Sequence, residues 1–187
     1  MEITQDWSRQ LLDSLAVLYP VCPTEPMICA EIGAFEGQGS RLLVNLLCGH
    51  TDSKLYCIDP WDDEYVKTDP RLSHWDPMFH GQYGRFVKNT QGVTKIVPLK
   101  GTSDVMIPGL PSIDFVYIDG DHSPEQVYKD ACAMMTRMKP GGIILFDDYG
   151  WGFRGLYTKD GINKFLEEYK ERVEVIFIKY QAAVRVK

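Results

Sequence analysis

Four carboxylates and one imidazole stand in two short clusters, Asp119-Gly120-Asp121-His122 and Asp147-Asp148, each ending an apolar run of strand character. Adjacent parallel strands bring their carboxyl ends together, so the two clusters are expected to meet at one edge of a sheet. Unpaired carboxylates gathered in a cleft repel each other strongly. A divalent cation would resolve that conflict, and an all-oxygen set from Asp119, Asp147 and Asp148 suits Mg2+, Ca2+ or Mn2+ rather than zinc. The plainer reading is that single aspartates cap turns or helices; Asp121, just ahead of Ser123-Pro124, is the first candidate for that. His122, of a type with an ordinary pKa near about 6.5, is a candidate proton acceptor, with Asp121 in reserve.

A second group surrounds the turn Glu31-Ile-Gly33-Ala-Phe35-Glu-Gly37-Gln-Gly39-Ser40, which follows an apolar run and opens a helix. Glycines in that setting let a ligand approach the backbone, and Gly33, Phe35, Gly37 and Ser40 are candidate cofactor contacts. The spacing is not the G-x-G-x-x-G of dinucleotide binding. The acidic Glu31 would repel a pyrophosphate but suits a cationic ligand such as a sulfonium or an ammonium. Asp59 ends the next apolar run, where a carboxylate is placed to accept both hydroxyls of a ribose, or else serves as a turn or cap aspartate. Ser103, in Gly101-Thr-Ser-Asp104, reads as a helix cap or as lining for an adenine pocket. Trp61, Trp75 and Trp151 are candidate walls for acceptor or adenine, with packing as the plainer role. His50 reads as solvated; His74 and His80 flank Trp75 and are weak candidates for touching substrate.

The elements that must position these groups are short apolar runs alternating with amphipathic stretches, the pattern of a parallel sheet flanked by helices. Strands are expected at Met27–Gly33, Lys54–Asp59, Lys95–Gly101, Ile113–Asp119 and Gly142–Asp148, and helices at Gly39–Leu47, Ser123–Met138 and Asp160–Lys170. Ser123, Pro124 and Gln126 form a capping-box start, and Lys139-Pro-Gly-Gly142 is expected to stop that helix and turn the chain into the next strand. Arg172–Tyr180 and Gln181–Lys187 lie too close together for a crossover helix, so they should pair antiparallel. Residues 1–187 read as one domain, with residues 1–26 a helical segment (one helix over Ile3–Tyr19). Residues 62–92 are an aromatic insertion that is either a lid or a satellite helix.

Composition narrows the classes. Hydrophobic residues make up 44%, charged residues 25%, and the net charge is −6, which argues against nucleic-acid or anionic-membrane partners. Five scattered cysteines without metal-site spacing, and no run of transmembrane or signal-peptide character, make a cytoplasmic location the expectation.

The order Glu31-Ile-Gly-Ala-Phe-Glu-Gly37, Ile58-Asp-Pro-Trp61, Gly101-Thr-Ser103, Asp114-Phe-Val-Tyr-Ile-Asp-Gly-Asp-His122 and Lys139-Pro-Gly-Gly-Ile-Ile-Leu-Phe-Asp-Asp-Tyr149 resembles class I S-adenosylmethionine-dependent methyltransferases. More narrowly it is similar to the metal-dependent O-methyltransferases of the macrocin (sugar) type and, more distantly, to catechol O-methyltransferase. The resemblance runs from about Met27 to Lys170. It implies a Rossmann-like three-layer α/β sandwich whose seven-stranded, mostly parallel sheet ends in an antiparallel hairpin. It also implies cofactor contacts at Glu31, Gly33, Asp59 and Ser103, Asp119 beside the reaction centre, and Asp119, Asp147 and Asp148 as metal ligands. His122 and Asp148 stand where the catechol-type enzymes carry a lysine and an asparagine, and the sugar-modifying relatives accept both. The implied activity is methyl transfer from S-adenosylmethionine to a small hydroxylated acceptor such as a sugar, with Mg2+ or a similar ion. The competing readings are a cofactor-binding partner subunit without turnover and, less well matched, a nicotinamide enzyme. A homodimer through the hairpin edge or the aromatic insertion is a further expectation.

Overall fold

A computed structural model describes residues 2–6, 8–62, 80–153 and 155–187. Helix α1 (Ser8–Leu18) leads into β1 (Ile28–Ile32), α2 (Gln38–Leu47), β2 (Lys54–Asp59), α3 (Gln82–Thr90) and β3 (Ile96–Lys100). There follow a short α4 (Ser103–Met106) running into a 3-10 turn, β4 (Ile113–Ile118), α5 (Pro124–Met134) and β5 (Met138–Phe146). The two-residue strands β6 (Gly152–Phe153) and β7 (Leu156–Tyr157), then α6 (Thr158–Glu168), β8 (Val173–Ile178) and β9 (Ala182–Val186), complete the order.

The seven-stranded sheet runs β3-β2-β1-β4-β5-β9-β8. The first five strands are parallel; β9 lies antiparallel to β5, and β8 antiparallel to β9. Successive strand residues point to opposite faces, and both faces are apolar. Cys29, Phe115 and Leu145 join Leu11 and Leu15 of α1, Leu43 and Leu47 of α2 and Phe86 of α3 in one core. Their neighbours Ala30, Val116 and Ile144 join Val127, Ala131 and Met134 of α5 and Ile162 and Phe165 of α6 in the other. The result is the expected three-layer sandwich with its terminal hairpin.

The differences are local and have causes. Helix α5 ends at Met134, short of Met138, which already pairs with Ile113 in the sheet. Lys139-Pro-Gly-Gly142 is not a turn before β5 but a bulge within it: the ladder breaks after Met138 and resumes at Ile143 opposite Phe115. Pro140 has no N–H to give the ladder, Gly141 takes a left-handed φ of 80°, and Lys139 leaves to pair with Asp114 at 2.8 Å. Helix α1 spans Ser8–Leu18 rather than starting at Ile3, and α6 begins at Thr158 and ends at Glu168, two residues ahead of the expected span at each end. Thr158 accounts for the early start: buried, it donates its hydroxyl to the His122 carbonyl at 3.1 Å. Of the insertion, Gln82–Thr90 is a satellite helix with Phe86 buried against Trp61. The lid reading falls on residues 63–79, which with His74, Trp75 and Phe79 lie outside the described residues. Among the described residues no helix is long and apolar enough to cross a membrane.

Phe165 is fully buried, with ring centroids 5.6 Å from Phe146 and 4.8 Å from Tyr169. Phe165→Ala is expected to cost about 3–5 kcal/mol in urea unfolding. A loss below about 1 kcal/mol would show that this face is loosely packed.

Candidate active site

The carboxyl ends of β1, β2, β4 and β5 carry the groups singled out in the sequence. Gly33 leaves β1 at φ +88°, its N–H bonded to the Ile58 carbonyl at 2.9 Å. A Cβ there would lie 1.9 Å from the Asp119 carbonyl oxygen, so the loop passes directly over the end of β4. Asp59, only 8% exposed, accepts the Phe35 N–H on one oxygen at 2.9 Å and the Trp61 N–H on the other at 2.7 Å. The Trp61 indole returns a hydrogen bond to the Phe35 carbonyl at 2.7 Å. Phe35 and Trp61 hold φ of 44° and 41°, conformations rare for non-glycine residues and held here by these bonds. Burial pushes Asp59 up to about 6 against the two backbone donors, and each of its oxygens keeps a further lone pair. The Trp61 ring is buried between Phe86 and Tyr83.

Glu31 is turned under α2, where the Ser40 hydroxyl donates to it; burial pushes it up to about 7. Gly37 opens α2 at φ 80°, and a Cβ there would meet Thr90 and Phe86 of α3. Ser103 is not a helix cap: Thr102 takes the cap position, and Ser103 donates its hydroxyl to Asp130 at 2.6 Å. Gln126 also donates to Asp130, at 2.9 Å, and burial pushes that carboxyl up to about 6. Ser123 does cap α5, accepting the Gln126 N–H at 3.4 Å, but the reciprocal half of the capping box belongs to Asp121, which takes the Ser123 N–H at 2.7 Å.

At the ends of β4 and β5, one ligand atom each from Asp119, His122 and Asp148 lie within 4.8 Å of one another. His122 Nδ1 is 3.0 Å from Asp148 Oδ2, and Tyr180 donates to Asp148 Oδ1 at 2.7 Å. Asp147 accepts from the Tyr117 hydroxyl at 2.8 Å and from Gln181 Nε2 at 2.7 Å. Burial and then the neighbouring Asp147 push Asp119 well above the carboxylate range, and Asp147 is raised by burial and by Asp148. Burial works against the charge on both His122 and Asp148, yet their mutual hydrogen bond and attraction raise the imidazole and lower the carboxylate. Trp151 stands beside His122, ring centroids 5.1 Å apart. His50, away from this edge, accepts the Asp52 N–H at 3.1 Å.

Tyr117, Tyr180, Gln181 and Asp130 were not singled out from the sequence. A signal existed for two of them: Tyr117 stands two residues before Asp119 on one strand, and Asp130 lies four residues after Gln126 on the helix. Tyr180 and Gln181 reach the site only because β9 pairs with β5, Ala182 opposite Phe146.

A parallel sheet whose order reverses beside β1, a glycine loop held by an acid at the end of β2, and the terminal antiparallel hairpin together define the Rossmann-like methyltransferase class. The chain belongs to the methyltransferase-domain family, whose model matches residues 30–149. The O-methyltransferase of Bacillus cereus, solved with SAH, is similar in fold at 14% identity, with a TM-score of 0.65 over 98% of this chain and 84% of that one. TomG from Streptomyces achromogenes, an O-methyltransferase of tomaymycin synthesis solved with SAM, matches at 16% identity, TM-score 0.61, over 95% and 78%. A precorrin-6y C5,15-methyltransferase from Geobacter metallireducens matches at 16% identity, TM-score 0.63, over 97% and 87%, so the fold alone does not choose the acceptor. An uncharacterized protein of Acanthamoeba polyphaga mimivirus, R132, is 29% identical over 120 residues, 64% of this chain. The chain spans about half the length of that relative.

Two measurements probe this geometry. Gly33→Ala should destabilise the fold by about 3 kcal/mol or more in denaturant, combining a disfavoured φ with a backbone clash; a loss under about 1 kcal/mol would contradict the close approach to Asp119. Asp130 binds its proton more tightly folded than unfolded, so it favours the fold in acid and that contribution is lost as pH rises towards 6. Asp130→Asn should therefore gain stability relative to wild type as pH rises from about 4 to about 7; a pH-independent difference would show that the burial is not felt.

Proposed function

We propose that the chain is an S-adenosylmethionine-dependent O-methyltransferase acting on a sugar or another small hydroxylated molecule with the help of Mg2+ or a similar divalent ion. The observation that carries this reading is the placement of Asp59, with unused lone pairs, on the same sheet edge as the converging Asp119, His122 and Asp148. The cofactor supplies a methyl on a good leaving group, and the cation makes a bound hydroxyl more acidic.

The donor chemistry fits both groups. Asp59 would accept the ribose hydroxyls while its two backbone bonds keep the loop in place. Asp119, Asp147 and Asp148 would hold the cation; burial first, and then the neighbouring negative charges, raise the proton affinity of Asp119 and Asp147, and a cation would relieve the second of these. His122 would accept the acceptor's proton at Nε2, because Asp148 orients the ring through Nδ1. Asp121 is the weaker base, since one of its oxygens holds the Ser123 N–H. Trp151 beside His122 would form part of the acceptor's wall. The net charge of −6 suits a small acceptor better than a nucleic acid.

Calorimetric titration of S-adenosylhomocysteine, with and without Mg2+, is expected to show micromolar binding that Asp59→Ala abolishes. In an acceptor screen with Mg2+, His122→Ala is expected to lower kcat by about 10²-fold or more while leaving S-adenosylhomocysteine affinity intact. No binding by folded protein would overturn the cofactor assignment. Binding without turnover on any hydroxylated acceptor would favour a non-catalytic cofactor-binding subunit.

A further inference from the structure

Glu36 lies in the middle of the glycine loop, between Phe35 and the Gly37 that opens α2, yet it is 1% exposed. Its carboxylate accepts the Thr4 N–H at 2.8 Å and the Thr4 hydroxyl at 2.9 Å, and it pairs with the Arg85 guanidinium of α3. Its carbonyl accepts Nδ2 of Asn89, also on α3, at 2.9 Å. The same Asn89 clasps the backbone of Glu2, accepting its N–H at 2.7 Å and donating to its carbonyl at 2.9 Å. Gln38, the first residue of α2, adds a bond to Asp6 at 2.7 Å. The arm 2–6, the loop and α3, remote in sequence, thus meet at one buried carboxylate.

A carboxylate so deeply buried is tolerable only while several donors, at least one charged, remain in place. Those donors come from the arm and from α3, so the loop keeps this conformation only with both docked. On its other side the loop is gripped at Phe35 by Asp59 and Trp61. A ligand that requires the loop in this shape must therefore favour the docked arm, and by linkage the docked arm must favour the ligand.

We infer that Glu36 is a positioning residue of the cofactor loop, which couples docking of the arm 2–6 and of α3 to binding of the adenosyl cofactor. This rests on the loop being the S-adenosylmethionine site. The test measures S-adenosylhomocysteine affinity by calorimetry, and backbone hydrogen exchange of residues 2–6 with and without that ligand, in wild type, Glu36→Gln and Thr4→Val. In wild type the ligand is expected to slow exchange in the arm. Glu36→Gln should weaken binding roughly tenfold and Thr4→Val roughly threefold, in each case with less protection of the arm on ligand addition. A merely structural carboxylate would lower the unfolding temperature and leave affinity and the ligand-dependent protection unchanged. If Glu36→Gln does not fold, Thr4→Val, which removes a single hydroxyl, decides alone. Wild-type binding with unaltered variants, or with an arm indifferent to ligand, overturns the positioning role and spares the cofactor assignment. Absence of wild-type binding overturns both.

Discussion

Between β1 and β4 the sheet changes the direction in which strands are added: β2 and β3 lie to one side of β1, β4 and β5 to the other. Connections leaving the carboxyl ends of two such neighbours must diverge, and a crevice opens between them. How close its walls stand is set by one contact, the Gly33 backbone against the Asp119 carbonyl, which admits no side chain. The placement of Asp59 under the loop, of Asp119 at the mouth, and of Glu36 behind it all depend on that approach. The parallel sheet supplies the crevice, and a glycine supplies its dimensions.

Buried acids are distributed around this crevice in two ways. Glu31, Glu36, Asp59 and Asp130 each have their own donors: a hydroxyl, a guanidinium with a threonine, two backbone amides, a serine with a glutamine. These acids tie one element to another. Asp147 and Asp148 have donors too, Tyr117 with Gln181 and Tyr180 with His122, but they stand close enough to Asp119 for the negative charges to oppose one another. Negative charge at this point is balanced less completely than at the other four acids, and His122 is the one positively chargeable member of the set it forms with Asp119 and Asp148.

Much of this was legible in the sequence because the strands are buried on both faces and so stand out as short apolar runs. Strand ends in a parallel sheet also fall at one edge, which is why the order of residues alone brings Asp59, Asp119 and Asp147-Asp148 together. Side-chain partnerships were not legible. Ser103 meets Asp130, and Glu36 meets Thr4 and Arg85, across stretches of chain that leave no local pattern, so Ser103 read as a cap or as lining for an adenine pocket and Glu36 was not singled out. The capping box at Ser123 was half right because Asp121, two residues upstream, reaches the same N–H more directly than Gln126 does. Lys139-Pro-Gly-Gly142 has the composition of a turn, and only the pairing of Met138 with Ile113 shows that the strand had already begun.

That bulge has a consequence for how the family can vary. Side chains in a strand alternate between faces, so adding or removing one residue within a continuous ladder would turn every later position over. In β5 the chain leaves the ladder after Met138 and rejoins at Ile143, while Lys139 anchors the departing segment to Asp114. Length differences arising in the α5–β5 connection can be absorbed in this slack before the ladder resumes. The phase of Ile143 to Phe146, and with it the direction in which Asp147 and Asp148 leave the sheet, is thereby insulated from drift on the opposite side of the molecule.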